Sequence, residues 1–313
     1  MIDYATIGQI TVDDTITEIG ELKRAQTGGG SVYSALGIRL WGHKVGINSV
    51  VGHDYPAEKL DVLAAHDVAV DGILRIPGWS LRLWLLHEEN NKKQQFPKLQ
   101  SSTFAELDEV RPNPPESYIN ARGFHLSPST PEGQMRARNF LRKVRPNAMI
   151  SLDILAEPFI NWNWYRNGDA IKGIDVFSPS IVEIEKIWPG QPLMDVLKRI
   201  ADWGVRWIAV KMDIRGAIVH DAEKVITYKL PIYPANTVDV TGAGDAFSGG
   251  FIEGIVESGD VLEAGLRGTV SASYAVEYWG AFDMLRVTPR DAAERLAMLK
   301  RQPDIDVFDP KKS

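Results

Sequence analysis

The chain has 313 residues, 44% apolar and 24% charged, with a net charge of −6 and no cysteine. This supports a folded core of one or two domains and excludes wholesale disorder. The acidic balance offers no positive excess for a nucleic-acid backbone, and the missing cysteines exclude disulfides, thiolate chemistry and Cys-based zinc sites.

No apolar run approaches the ~20 residues of a membrane span. Met1 to Gly8 lacks a basic start followed by a long apolar stretch, so no signal peptide and a cytoplasmic location are expected. No internal repeat or low-complexity segment stands out.

In chain order, Tyr4 to Ile10 reads as a strand. Ser31 to Leu40 sets Val32, Ala35, Leu36 and Leu40 at helical spacing, and Lys44 to Val51 reads as a second strand. Strand, crossover helix, strand is the pattern of a parallel sheet covered by helices. The next stretch breaks it. Ser80 to His87 is rich in strand formers, Glu89 to Lys93 suits a turn, and Gln94-Gln95-Phe96 starts a return strand. With the β-branched and acidic residues 11–27, this hairpin is expected to form a small sheet over one edge of the core.

The α/β alternation then resumes. Pro112 to Pro115 is a loop and Arg122 to Leu126 a strand. Pro131 to Val144 suits a helix, with Thr130 as N-cap and Pro131 at the first helical position. Ala148 to Leu152 reads as a strand ending at Asp153, and Val176 to Ser178 as a strand end. Ile181 to Trp188 and Leu193 to Trp203 read as helices, Arg206 to Lys211 as a strand. The polar tail beyond Arg301 is expected to fray. The fold class is α/β: a doubly wound, mostly parallel sheet with helices on both faces (1–10, 28–72, 104–313) and a small β lid (11–27, 73–103). Nine tryptophans, including Trp162 with Trp164 and Trp203 with Trp207, read as packing or as a stacking platform for a base or sugar ring.

The informative stretch is Asp239-Val240-Thr241-Gly242-Ala243-Gly244-Asp245-Ala246-Phe247. A Gly-Ala-Gly turn opens a helix that carries Phe247, Phe251 and Ile255 on one strip and Gly250 and Gly254 on another, so the helix has reason to be buried. Its N-terminus leaves N–H groups unpaired and carries partial positive charge. Residues without bulky side chains let an anion approach. A carboxylate there makes sense if Asp245 faces a substrate hydroxyl, while the amides of Gly242, Ala243 and Gly244 stabilise charge on a phosphoryl group. The plainer alternative is a Gly turn capped by Asp.

This stretch resembles the C-terminal signature of the ribokinase-like (PfkB) carbohydrate kinases, and the resemblance extends over nearly the whole chain. Gly8-Gln9-Ile10-Thr11-Val12-Asp13 is similar to the family's opening strand, whose Asp binds sugar hydroxyls. Gly28-Gly29 followed by Ala35 resembles its di-glycine motif, which lies against the substrate. Gly52-His53-Asp54 resembles its second-strand motif, and Val210 to Ala217 its nucleotide-side strand and turn. The resemblance implies ATP-dependent phosphorylation of a small sugar or polyol, usually at a primary alcohol. Asp245 would be the base and Gly242, Ala243 and Gly244 the anion hole. Asp13, Gly28, Gly29, Tyr33 and Arg82 would be on the substrate side, and Lys211, Asp213, Gly216, Thr241, Gly242 and Gly244 on the nucleotide side. Mg²⁺ would bridge the phosphates with Glu183 in its outer shell. The lid would also serve as a homodimer interface.

Three positions depart from the family pattern. Tyr33 stands where the family has Asn, Ser180 replaces Asn of an Asn-x-x-Glu motif that keeps Glu183, and Asp213 replaces a Gly. They leave open a nucleoside or a sugar acid as substrate, and a catalytically weak nucleotide- or ligand-binding protein of the same fold. Arg82 reads either as a partner for a substrate carboxylate or phosphate or as a solvent-facing residue. No Walker motif, complete dinucleotide fingerprint, nucleophile elbow or paired histidine ligand spacing occurs.

Overall fold

The expected strand, helix, strand opening is what the first fifty residues form. The computed structural model describes residues 1–88, 92–302 and 305–307. In it, β1 (Tyr4–Ile7) pairs in parallel with β4 (Val45–Val51), and α1 (Gly30–Arg39) crosses between them. The chain leaves β1 three residues earlier than expected and builds β2 (Thr11–Ile16) and β3 (Leu22–Gly28) before α1.

After β4 come α2 (Ala57–Ala64), β5 (Val68–Ala69), β6 (Ile73–Arg75), β7 (Leu81–Glu88), β8 (Lys92–Pro97), α3 (Phe104–Val110), α4 (Glu116–Ile119), β9 (Gly123–Leu126), α5 (Pro131–Val144) and β10 (Met149–Leu152). The second half runs α6 (Asn163–Arg166), β11 (Val176–Phe177), α7 (Ile181–Ile187), α8 (Leu193–Asp202), β12 (Trp207–Lys211), β13 (Ala217–Asp221), β14 (Ile226–Leu230), α9 (Ala243–Ser258), α10 (Val261–Ala275), α11 (Pro289–Leu299) and β15 (Asp306–Val307).

The larger sheet has the order β15-β14-β13-β12-β11-β10-β9-β1-β4-β5, with β6 also paired to β4. It is parallel from β5 to β12 and antiparallel beyond. The smaller sheet, β3-β2-β7-β8, is the lid. Residues 73–75 belong to the large sheet, so the lid hairpin starts at Leu81 rather than at residue 73. The turn expected at 89–93 lies largely outside the described residues, and Lys93 is already in β8. Within the tail expected to fray, Asp306 and Val307 pair with β14.

Helices cover both faces. On one, α1, α9 and α10 bury Val32, Leu36, Phe247, Phe251 and Val270; on the other, α5, α7 and α8 bury Leu141, Ile184, Leu197 and Ile200. Helix α9 is buried along ten consecutive residues, 246–255. Its glycines explain how. A Cβ on Gly249 would come 2.1 Å from the Ser34 carbonyl oxygen, and one on Gly254 2.5 Å from Ala264 Cα. The strand order reverses at β1, with β4 on one side and β9 on the other. A crevice at the carboxyl ends of the strands is expected at such a point.

Candidate active site

The first turn of α9 faces that crevice. Its N-cap, Gly242, has φ 77°, and a Cβ there would fall 2.2 Å from the Tyr33 ring, so both backbone and space call for glycine. The N–H groups of Gly242 and Gly244 have no partner among the described residues, as an anion cradle requires. Ala243 departs from expectation. Its N–H is turned toward the Val240 carbonyl at 3.3 Å, so the cradle offers fewer free donors than the three expected.

Asp245, in the same turn, lines a cavity of about 440 Å³. Gly30 at the start of α1 makes room for it: a Cβ there would lie 2.7 Å from Asp245 Oδ1. Burial, helped by the nearby Asp153, pushes the Asp245 carboxyl up to about 6, against the pull of Lys211 and Lys93. It is therefore a stronger base than an exposed aspartate and still ionised at neutral pH.

Behind it lies a charged group built from three elements. Asp153 follows β10 and is 1% exposed; its Oδ2 accepts from Lys211 Nζ, and from Ser248 Oγ at 2.8 Å. A Cβ on Gly244 would lie 3.5 Å from Lys211 Nζ, so the ammonium sits against the cradle. Burial opposes that charge, but Asp153 and Glu183 outweigh it and hold the Lys211 pKa above its usual value. Glu183 also lines the cavity, and burial lifts its carboxyl to about 7. Ser180, where the family pattern has Asn, caps α7: its Oγ accepts from Glu183 N–H at 3.2 Å, and Glu183 Oε2 accepts from Ser180 N–H at 2.6 Å. Glu183 Oε1 has no partner among the described residues, leaving a hard oxygen for a metal-bound water.

The lid and di-glycine form the roof. Asp13 is buried with Oδ1 unpartnered, and burial lifts its carboxyl to about 7. Gly28 packs on its other oxygen, and Gly29, at φ 96°, brings the chain against the Gln9 carbonyl. Thr11, Asp13, Gly29, Tyr33 and Thr241 all line the cavity; Gly28 does not. Strand alternation sends Leu83 and Leu85 of β7 inward. Arg82, between Leu81 and Leu83, lies on the opposite face, over Trp79 and 3.7 Å from Asp54. Its placement on the substrate side is thereby corrected: period two turns it away. Asp213 and Gly216 form the exposed β12–β13 connection and do not line the cavity. Asp213 has φ 52°, a left-handed conformation that explains a glycine preference there and that Asp tolerates.

The sequence reading passed over several lining residues: Gln9, Lys93, Gln95, Phe104, Ile154 and Glu157. Lys93 reaches Thr241 Oγ1 at 3.5 Å, and Gln95 of the lid bonds Glu157 of the core, so the lid is seated over the crevice. Alternation along β8 would have indicated Lys93 and Gln95 had the hairpin register been known. A separate group, His43, Glu253 and Glu257, has metal-compatible geometry, but Arg122, Arg267 and Tyr4 already bind its carboxylates.

The pfkB family carbohydrate kinase model matches residues 9–287. A cytidine kinase of Thermococcus kodakarensis is 26% identical over 284 residues, covering 90% of this chain and 98% of the relative. A nucleoside kinase of Burkholderia thailandensis, solved with inosine, superposes at TM-score 0.78 with 16% identity, over 94% of this chain and 97% of that one. An Escherichia coli structure in complex with ATP and Mg²⁺ does so at 0.74 with 18% identity, over 95% and 100%. The α/β fold is the ribokinase-like one, and with a family model spanning most of its length the chain belongs to the pfkB family of carbohydrate kinases, phosphotransferases that act on an alcohol group.

Proposed function

We propose that the protein transfers the γ-phosphoryl group of ATP to a primary hydroxyl of a small ring-bearing polyol, and that a nucleoside fits the site better than a free sugar. One observation carries the reaction: a half-buried carboxylate, Asp245, faces a half-open cavity in the same helical turn as the unpaired N–H groups of Gly242 and Gly244. Asp245 accepts the hydroxyl proton as the oxygen attacks, and the amides with Lys211 take up charge on the phosphoryl oxygens. Mg²⁺ bound with ATP neutralises phosphate charge, and Glu183 is the carboxylate placed to hold one of its waters. Asp13 accepts from ring hydroxyls. The lid keeps water from the phosphoryl group.

The nucleoside preference rests on the cavity wall. Leu83, Leu85, Phe104, Pro128, Ile154 and Leu155 form an apolar side suited to a flat base. The full-length relative named cytidine kinase and the inosine-bound neighbour support it. A sugar acid is disfavoured, because Asp13, Asp245, Glu157 and Glu183 line the cavity and Arg82 points elsewhere. The test is ADP release from Mg·ATP across sugars, sugar acids and nucleosides, repeated with Asp245→Asn. Turnover on a nucleoside, lost ~10²–10⁴-fold in the variant with ATP binding kept, is expected. Binding without phosphate transfer to any acceptor would instead favour a non-catalytic ligand-binding protein.

A further inference from the structure

We infer that Asp153 is a positioning residue, whose carboxylate holds the Lys211 ammonium against the first turn of α9 so that the cation faces the phosphoryl group being transferred. The inference rests on the kinase reading of the same site. Asp153 Oδ1 accepts from Ile154 N–H at 2.8 Å, which fixes the carboxylate plane. Its Oδ2 receives both Lys211 Nζ and Ser248 Oγ, and Lys211 Nζ is 3.4 Å from Ser248 Oγ. Ser248 belongs to α9, and its one hydroxyl proton lies between Asp153 Oδ2 at 2.8 Å and the Gly244 carbonyl oxygen at 3.0 Å. The ammonium is thus triangulated between β10, β12 and the helix that carries the cradle, with one N–H left over.

Stability does not account for this arrangement. A buried ion pair commonly costs more in desolvation than it returns, and an apolar pair would pack as well. A lysine aimed at a phosphate is a different matter. Its long stem loses much rotamer freedom on binding, and a tether removes that loss beforehand. The other charged groups acting on Lys211 are Glu183 from α7 and Asp245 from α9, and Lys93 of the lid acts in turn on Asp245; His125 of β9, held neutral by burial, lies behind.

The experiment uses the full chain with Asp153→Asn and Lys211→Met, reading Mg·ATP affinity by calorimetry and the pH profile of kcat/KM. Each variant should weaken ATP by about tenfold, the loss of one charge-assisted contact. The acid limbs should part. Removing Asp153 takes away a charge that raises the Asp245 pKa, so that limb moves to lower pH; removing Lys211 takes away one that lowers it, so that limb moves up. A purely structural role would not make the loss in Asp153→Asn vanish once Lys211 is already Met. The double variant should bind ATP no worse than Lys211→Met.

Unchanged ATP affinity in Asp153→Asn, or a double variant that binds ATP clearly worse than Lys211→Met, would overturn the inference while leaving the kinase reading intact. If no acceptor is phosphorylated by the unaltered protein, that reading fails, and the ATP titration still decides on Asp153. Should Asp153→Asn not fold, Ser248→Ala removes one corner of the triangle. It should weaken ATP by about threefold, and an unchanged affinity there would also overturn the proposal.

Discussion

At and behind the floor of the cavity, Asp245, Asp153, Lys211 and Glu183 sit on or next to elements of the parallel sheet and its helices, and Asp153, Lys211 and Glu183 are each held by a hydrogen-bonded neighbour. At the roof, β7 and β8 present Leu83, Leu85, Lys93 and Gln95 from a small sheet whose other face is partly exposed. The floor has little freedom, as its helix is wedged by glycines against α1 and α10. At the mouth, side chains join the roof to the core, Lys93 to Thr241 and Gln95 to Glu157. Chemistry that must keep one geometry is carried by the rigid part, and recognition that must admit and release a substrate by the movable one.

The contrast predicts where a single methyl group matters. Gly30→Ala should lower kcat by ~10², because the added Cβ would meet Asp245 Oδ1 at 2.7 Å and displace the base. Melting temperature should fall only modestly, since the Cβ also meets Pro128 Cδ at 2.7 Å but Ala suits a helix better than Gly. A variant that melts normally and turns over normally would show that the floor tolerates movement, and the contrast would fail. The floor also sets the pH response. Asp245 works as a base only when ionised, and its carboxyl titrates near 6. Below that value kcat/KM should fall at least tenfold per pH unit, since Asp13 and Glu183 protonate near 7, and a flat profile down to pH 5 would remove Asp245 from the role.

At the roof the effects should be smaller and of another kind. Leu83→Ala with Leu85→Ala should raise KM for the acceptor about tenfold and leave kcat within about threefold, as expected when apolar contact is lost equally in ground and transition states. Gln9 sharpens this further. Its Nε2 faces Asp108 Oδ1 at 2.8 Å and the Phe104 carbonyl at 3.5 Å, so its carbonyl is the free end, and Oε1 is buried without a partner. Such an acceptor suits a ring that carries an amino group. Gln9→Leu should reduce the preference for an amino-bearing base over its keto counterpart by about three- to tenfold, measured as a ratio of kcat/KM. An unchanged ratio would place Gln9 outside the recognition surface.

The same division runs through what could be read from the sequence. The floor is local. Asp239 to Phe247 is one unbroken stretch, so the Gly-Ala-Gly turn at the start of a buried helix, with Asp245 in its first turn, was legible without a structure. The parallel strands were legible as short apolar runs between helical patterns. Lys211 was legible as a strand end, but its partner Asp153 lies 58 positions away, and only the sheet order brings them together. The antiparallel strands β13 and β14 escaped notice because His220, Asp221, Thr227 and Lys229 interrupt their apolar residues, although all but Lys229 of these are buried. The Ala243 amide could not have been placed from sequence, because whether an N–H faces a ligand or the Val240 carbonyl depends on a few degrees of backbone rotation.

The lid was legible as a hairpin but not in its facing, and Arg82 is the residue that shows why. Alternation says that Arg82 and Trp84 share a face and Leu83 and Leu85 the other; it does not say which face meets the core. The pairing settles it. Thr11, Asp13 and Thr15 of β2 lie opposite Leu81, Leu83 and Leu85, and Asp13 lines the cavity, so the leucines line it with Asp13 and the arginine is turned out. Arg82→Ala should therefore change kcat/KM for any acceptor by no more than about twofold, the scale of a partly exposed side chain without a part in the site. A loss of tenfold or more, selective for acidic acceptors, would mean that the lid reverses its facing on closure, and the apolar wall argued for a nucleoside base would belong to an inactive arrangement.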